Sequence, residues 1–236
     1  MNEVSIVMIT KNSEKHLDEV LSALTDFKEV IILDNGSTDN TLNIIKKYKN
    51  VRIFIEQFEG FGRTKNRAIS YASNDWVFVL DSDEVMSEEL KEEIKQTIKN
   101  FKYSAYYVPR LNNFFGKWIK HGGLYPDYSI RLFNKKVAKF NDRDVHESVI
   151  CKCKKGYLKN HLLHYAYEDI AQFIEKQNRY SSMNPKKSFF KAIIAPYWTF
   201  FRMYFLKCGF LDGIEGFIIA KLYSQYTFWK YIKGIL

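Results

Sequence analysis

Trp76-Val77-Phe78-Val79-Leu80-Asp81-Ser82-Asp83-Glu84 decides how the chain is read. Its first five residues are aromatic, β-branched or aliphatic, the composition of a short strand buried on both faces. The run stops at two carboxylates one residue apart, Asp81 and Asp83, with Glu84 behind them. Open α/β sheets place their ligands outside the carboxyl ends of their strands. Two Asp spaced as D-x-D can aim oxygens at one hard cation and leave other positions for waters and substrate phosphates. The same residues also read as a turn before a helix capped by Ser87. The two readings are compatible, because the cap begins after the acidic cluster.

Working upstream, Val4–Thr10, Val30–Leu33 and Val51–Ile55 have the same strand character. Between them, Leu17, Val20, Leu21 and Leu24, and then Leu42, Ile44 and Ile45, recur at helical spacing. Asn12 or Ser13 can cap the first helix and Ser37 or Thr38 the second. A Gly60-Phe61-Gly62 loop precedes a helix over 63–72, and a charged helix follows Ser87 to about Asn100. The order β-α-β-α-β-α-β with short connections predicts a mostly parallel sheet with helices on both faces over residues 1–100. Polar groups gather at the carboxyl ends of its strands, at Thr10, Asp34 and Asp81. That segregation suits a nucleotide site at the sheet edge.

Downstream the pattern changes. Ala105–Val108 and Ser129–Phe133 read as strands, with an aromatic loop over 114–128 between them. Short strands are expected at Val137–Phe140 and within Val145–Cys153, and a helix from Glu168 through Tyr180. Residues 183–236 carry eight basic residues against Asp212 and Glu215 alone, a net of +6, interleaved with aromatics. Pro196, Gly209, Gly213 and Gly216 are expected to break this part into short helices. Its longest uncharged run, Ala192 to Phe201, is ten residues, about half of a membrane span. The region is expected to lie on an anionic membrane surface or against the protein. The division expected is 1–182, with a donor half to about residue 100 and an acceptor half over 101–182, then 183–236 as a helical extension.

The bulk numbers agree with an enzyme-sized chain that meets acidic partners. It has 236 residues, 46% of them hydrophobic and 17% aromatic, with a net charge of +9. Nucleotide phosphates, anionic lipid and nucleic acid are the partners such a charge suits. Cys151, Cys153 and Cys208 are odd in number and do not form a disulfide framework, so Cys151 and Cys153 read as inert thiols in a reducing compartment. No signal peptide is expected, since Met1-Asn2-Glu3 leads straight into a strand-like run.

Four segments in order resemble the nucleotide-sugar domain of family 2 glycosyltransferases with the GT-A fold: Ser5–Asn12, Ile32–Asp39, Gly62 with Lys65-Asn66-Arg67-Ala68, and Asp81–Glu84. Tyr125–Phe133, Val145-His146-Glu147 and Phe210-Leu211-Asp212-Gly213 narrow the resemblance to the branch of lipopolysaccharide inner-core β-1,4-glucosyltransferases. The resemblance implies an α/β, Rossmann-like GT-A fold with a C-terminal helical extension. It implies an inverting, metal-dependent hexosyltransferase that moves glucose from UDP-glucose to a lipid-linked saccharide at the inner face of the cytoplasmic membrane. It assigns Asp34 to the donor's uracil or ribose, Asp81 to the ribose or the metal, Lys65 to the diphosphate and Asp83 to a Mg²⁺ or Mn²⁺ ion. The residues themselves add Thr10 and Arg131 as donor contacts, His146 as a second metal ligand, and Trp118, His121, Tyr125 and Asp127 as acceptor contacts. The family's usual C-terminal acidic pair is replaced by His146-Glu147, which makes Glu147 the candidate base, with Asp127, Asp142 and Asp144 as rivals.

The residues admit plainer readings. Asp34-Asn35-Gly36-Ser37 is also turn and cap chemistry, Lys65 a solvated helix face, His146 a structural histidine, and Trp118, His121 and Tyr125 core filling. Arg131, set in an apolar strand, needs an anionic partner. Two other functions fit parts of the pattern. A sugar-1-phosphate nucleotidyltransferase would need a Gly-rich loop after the first strand, and Thr10–Glu14 holds no glycine. A basic adaptor for membranes or nucleic acid would suit the C-terminal region. It would leave the acidic strand end at Asp81 unexplained, and nucleic acid is not an expected partner.

Overall fold

A computed structural model describes residues 3–142, 147–183 and 185–235. The chain divides into two compact units, Met1–Arg110 with Tyr128–Leu163, and Leu111–Asp127 with His164–Leu236.

The first unit opens with β1 (Val4–Thr10), α1 (Glu14–Ser22), β2 (Val30–Asp34), α2 (Thr41–Ile45), β3 (Val51–Ile55), α3 (Phe61–Ser70) and β4 (Trp76–Val79). The expected alternation is present. β1 pairs in parallel with β2 and with β4, and β2 with β3. Both faces of β1 and β2 are covered: Ile6, Val7, Met8 and Val30 through Leu33 are inaccessible to solvent. This explains why their sequences are continuous apolar runs rather than alternating ones. β3, at the sheet edge, is half exposed.

Then come β5 (Glu84–Met86) and α4 (Glu88–Lys99), whose cap Ser87 accepts a hydrogen bond from Leu90 N at 3.2 Å. β6 (Ala105–Phe114), β7 (Lys117–Ile119), β8 (Asp127–Asn134), β9 (Ala138–Phe140), β10 (Val149–Cys151), β11 (Lys155–Tyr157) and β12 (Leu162–Tyr167) follow. The sheet runs β3-β2-β1-β4-β8-β6-β12-β5, and β8 is antiparallel to β4. β9 and β10 form a separate antiparallel pair. Asn66 fastens that pair to α3 by a reciprocal contact, its side chain donating to and accepting from the Phe140 backbone at 2.9 Å each way.

The second unit holds α5 (Ile170–Met183), α6 (Phe189–Phe201) and α7 (Gly213–Ile232), with a π turn at Arg202–Leu206 and a 3-10 turn at Gly209–Asp212. Its core gathers Phe114, Ile119, Tyr167, Phe173, Met203 and Ile219. Burial pushes the Tyr167 hydroxyl up to about 12, and Gln177 Nε2 donates to it at 2.9 Å.

Several expectations are corrected. Pro196 and Gly216 do not break the C-terminal region: the first lies inside α6 and the second inside α7. Ser224 Oγ from α7 donates to the Pro196 carbonyl at 2.8 Å, a tertiary bond that supports the helix at the proline. Gly216 is there for proximity, since a Cβ on it would fall 1.9 Å from the Gly209 carbonyl oxygen. α7 has 20 residues, enough to cross a bilayer by length alone. Its Glu215, Lys221 and Lys230 lower its hydropathy, and among the described residues no helix is long and apolar enough to cross a membrane. The 114–128 stretch contains the strand β7. Cys151 and Cys153 are joined by a disulfide, their Cα atoms 5.2 Å apart. The expectation of inert thiols rested on the odd count and on the one-residue spacing, and a ring closed across that single residue at the end of β10 overturns it.

Candidate active site

The register of the parallel strands brings the carboxyl ends of β1, β2 and β4 together. Thr10 stands opposite Asp34, and its hydroxyl donates to Asp34 Oδ2 at 3.0 Å. Past the strand ends, the hydroxyls of Ser13 and Ser82 lie 2.9 Å apart. The D-x-D turn after β4 therefore borders the loop after β1.

Asp34 is completely buried, and its carboxylate is consumed by its own turn. Oδ1 accepts from the backbone N–H of Gly36 and Ser37 at 3.0 and 2.8 Å. Oδ2 accepts from the Ser37 hydroxyl as well as from Thr10. Gly36 holds φ at 85°, a conformation that costs a residue without Cβ little. Thr10 and Asp34 thus hold the turn after β2.

The centre of charge lies at Asp81. Its Oδ1 is 3.0 Å from Lys65 Nζ on α3 and its Oδ2 accepts from Arg131 of β8 at 2.8 Å. Arg131 also donates to Glu84, and its Nε donates to Ser129 Oγ at 3.1 Å. Glu84, inaccessible to solvent, accepts the Asp81 backbone N–H at 3.1 Å and has Arg110 of β6 at 3.5 Å. Arg131 in its apolar strand thereby has the anionic partners it requires. Lys65 reaches in the other direction to Glu147, at 2.9 Å, and its ammonium stands over the Phe140 ring at 5.4 Å. The Lys65 side chain is 6% exposed, so it is no solvated helix face.

Burial would raise the Asp81 carboxyl, but Arg131 and Lys65 outweigh it and hold it well below the usual carboxylate range. Burial would lower the Lys65 ammonium, but Asp81 and Glu147 together overcome both burial and the repulsion from Arg131, and the group rises. All three groups are charged at neutral pH.

These residues line a cavity of about 510 Å³. Its charged lining comprises Lys65, Arg110, Arg131 and Lys155 against Asp81 and Glu147. Four cations against two carboxylates favour an anionic guest such as a diphosphate. Tyr107, Tyr128 and Phe140 add ring surface, and Tyr157 stacks on Tyr107 with ring centres 4.8 Å apart. A volume of this size accommodates a small molecule.

The structure thus unites Lys65, Asp81, Arg131 and Glu147 in one cavity, which Thr10 and Asp34 do not line. Asp83 is half-buried on the turn between β4 and β5. Among the described residues no three His, Cys, Asp or Glu side chains form a metal cluster, while His146 and Asp144 lie outside the described residues. Both oxygens of Asp81 are held by cations, so a divalent cation at this pair would fall to Asp83. One carboxylate with phosphate oxygens and waters is an ordinary Mg²⁺ donor set. Asp142 is exposed. Trp118, His121, Tyr125 and Asp127 belong to the second unit. There His121 Nδ1 lies 2.9 Å from Asp212 Oδ1, its backbone N–H donates to Asp212 Oδ2 at 2.8 Å, and Trp118 packs on Tyr165.

Sequence reasoning missed Arg110, Lys155, Tyr107 and Tyr128. Arg110 could have been found by extending the predicted 105–108 strand two residues. Lys155 offered no signal, because β11 is three residues long and pairs with β6 only across a sequence gap.

Residues 5–166 match the family model described as glycosyl transferase family 2. An uncharacterized glycosyltransferase of Rickettsia typhi is 30% identical over 99% of this chain and 87% of its own length. LpsC of Rhizobium meliloti, a lipopolysaccharide core biosynthesis glycosyltransferase, is 25% identical over 95% of this chain and 89% of its own. Among solved structures, S. aureus TarS 1-349 in complex with UDP superposes with a TM-score of 0.52 at 17% identity, covering 98% of this chain and 89% of that TarS fragment. That likeness shows the fold, a Rossmann-like GT-A sheet with a helical C-terminal region.

Proposed function

The chain belongs to glycosyl transferase family 2, and from that premise we propose that it is an inverting hexosyltransferase. Its donor is UDP-glucose, and its acceptor is a lipid-linked saccharide of the lipopolysaccharide inner-core type, met at the inner face of the cytoplasmic membrane. The observation that carries the reading is the cavity in which Lys65 and Arg131 flank Asp81 while Glu147 stands on the far side of Lys65. The LpsC relative supports the acceptor class, and the UDP in the TarS structure accords with a uridine donor.

Transfer requires the diphosphate to leave with its charge compensated. Lys65 and Arg131 supply fixed positive charge, and Asp81 keeps both in place before the donor arrives. Asp83 would hold a divalent cation, Mg²⁺ or Mn²⁺, which when bound supplies further neutralisation of the leaving diphosphate. The acceptor hydroxyl oxygen attacks the anomeric carbon as the bond from that carbon to the diphosphate oxygen breaks, and the hydroxyl proton passes to a Glu147 oxygen. One displacement inverts the anomeric centre, and no covalent enzyme intermediate is needed. In the ligand-free protein Lys65 neutralises Glu147. A diphosphate that draws the ammonium toward itself frees the base.

The test is UDP release from UDP-glucose in the presence of a lipid-linked core saccharide. Glu147→Gln keeps the shape but cannot take the proton, so kcat should fall by roughly 10²–10⁴ with donor affinity little changed. Full activity in that variant, with Asp127→Asn or Asp144→Asn inactive, would move the base elsewhere.

A further inference from the structure

The outer face of α6 is apolar where a water-soluble helix is polar. Phe189, Phe190, Ile193, Ile194, Tyr197 and Trp198 fall at i, i+1, i+4, i+5, i+8 and i+9, one stripe of the helix. Their exposures run from 48% to 76%. The opposite face packs on α7 within the same unit: Ala192 is buried, Thr199 meets Thr227 at 3.2 Å, and the Pro196 carbonyl takes the Ser224 bond. Lys191 is the single charged residue of the helix. A helix apolar on all sides belongs in a protein core or in lipid, and within its own unit this one has its outer stripe uncovered.

What covers the stripe is indicated by the charges around it. From Lys186 to Leu211 there are five basic residues and no acidic one. Lys186 and Lys187 precede the helix, Lys191 lies in its first turn, and Arg202 and Lys207 follow it; all five are exposed. A second copy would set two such positive borders against each other, which opposes association. An anionic bilayer satisfies both features. Its headgroups meet the lysines and Arg202, and its acyl boundary takes the phenylalanines and isoleucines, with Tyr197 and Trp198 at the level where amphipathic rings settle. A groove of about 530 Å³ shares Ile193 and Tyr197 with the stripe and has Lys221 on its lining, room for acyl carbon beside a cation.

We propose that the α6 stripe is a bilayer-docking surface, lying flat in the interface of an anionic leaflet with its aromatic side chains inserted. The inference deepens the lipid-linked-acceptor reading and rests on it for its purpose: docking places the enzyme where that substrate is anchored. The two are tested by different readouts.

The full chain is sedimented with vesicles of phosphatidylglycerol and phosphatidylcholine in equal parts, and UDP-glucose binding is measured by calorimetry on the same preparations. The wild type should bind the vesicles at low salt and stay partly bound as salt rises, because inserted rings are not screened. Phe190→Glu with Trp198→Glu, both at exposed positions, should weaken vesicle binding at least about tenfold. Circular dichroism and UDP-glucose binding should be unchanged. Lys187→Glu with Lys191→Glu should weaken binding at low salt. Absence of wild-type sedimentation, or equal sedimentation of the Phe190/Trp198 variant, overturns the proposal. So does a wild-type dimer in analytical ultracentrifugation that this variant converts to monomer, since the stripe's occupant is then a second copy. Vesicle binding without UDP-glucose binding would instead overturn the donor reading and leave this surface standing.

Discussion

Asp81 carries two opposed demands, since it must be ionised and it sits among groups that burial would discharge. Its carboxyl is held low because Arg131 and Lys65 outweigh burial. A carboxyl with a folded pKa below the unfolded one, about 3.9, contributes stability that is complete above that value. The contribution is lost as pH falls below it. Lys65 has the opposite sign, raised in the fold, so its contribution is present at neutral pH and is lost only as pH climbs through the folded value. Asp81→Asn should therefore lower stability at pH 7 and flatten the loss of stability below about pH 4, as measured by thermal melts over a pH series. The loss should be about 2 kcal/mol, less than for a fully buried pair. Asp81 is one-third exposed, Lys65 retains Glu147, and Arg131 retains Glu84. A variant as stable and as acid-sensitive as the wild type would show that the network carries no stability. At this scale the sequence was half legible. Arg131 in an apolar strand announced a buried anion, but its partners Asp81 and Glu84, at the end of β4 and the start of β5, lie 50 and 47 residues away, a distance no local pattern encodes.

Among the elements, α4 shows a local rule at work. Ser87 is its N-cap, Glu88 and Glu89 fill its first turn, and Lys99 its last, an arrangement matched to the helix dipole. Ser87→Ala should cost about 1 kcal/mol in urea unfolding, because Leu90 N loses its acceptor; an unchanged midpoint would mean that water replaces the hydroxyl at no cost. Elements with such signals were readable in advance. β1 and β3 span the predicted residues, and α4 differs by a residue or so at each end. β5, β7 and β11 were not legible: each has three residues, too few for a period to register, and each exists because a partner strand offers hydrogen bonds. Pro196 misled for a related reason, since Ser224 and the packing against α7 come from elsewhere in the chain.

For the whole molecule, stability and ligand occupancy are linked. A ligand that binds only the folded protein at a hundred times its Kd adds about 2.7 kcal/mol. UDP-glucose with Mn²⁺ should accordingly raise the melting temperature by roughly 5 °C or more in a chain of this size. Chelating the metal should remove most of that shift, and Asp83→Ala should show the smaller, metal-independent shift from the start. A shift insensitive to chelator in the wild type would separate donor binding from the cation. The net charge of +9 works at the same scale, favouring anionic partners over cationic ones. It was the one global property visible without the fold.

The turn after β2 also governs how the protein ages. Asn35-Gly36 is the dipeptide in which a side-chain amide is lost fastest in a loose chain, by attack of the following backbone nitrogen on the Asn carbonyl. Here the Gly36 nitrogen is committed to Asp34 Oδ1 and the Asn35 amide to the Glu56 carbonyl at 3.0 Å. The buried aspartate thus acts as a preservative: while the turn is folded both reacting groups are engaged and the succinimide should close more slowly than in a loose chain, so chemical damage at this spot becomes a record of how often the strand ends have come apart.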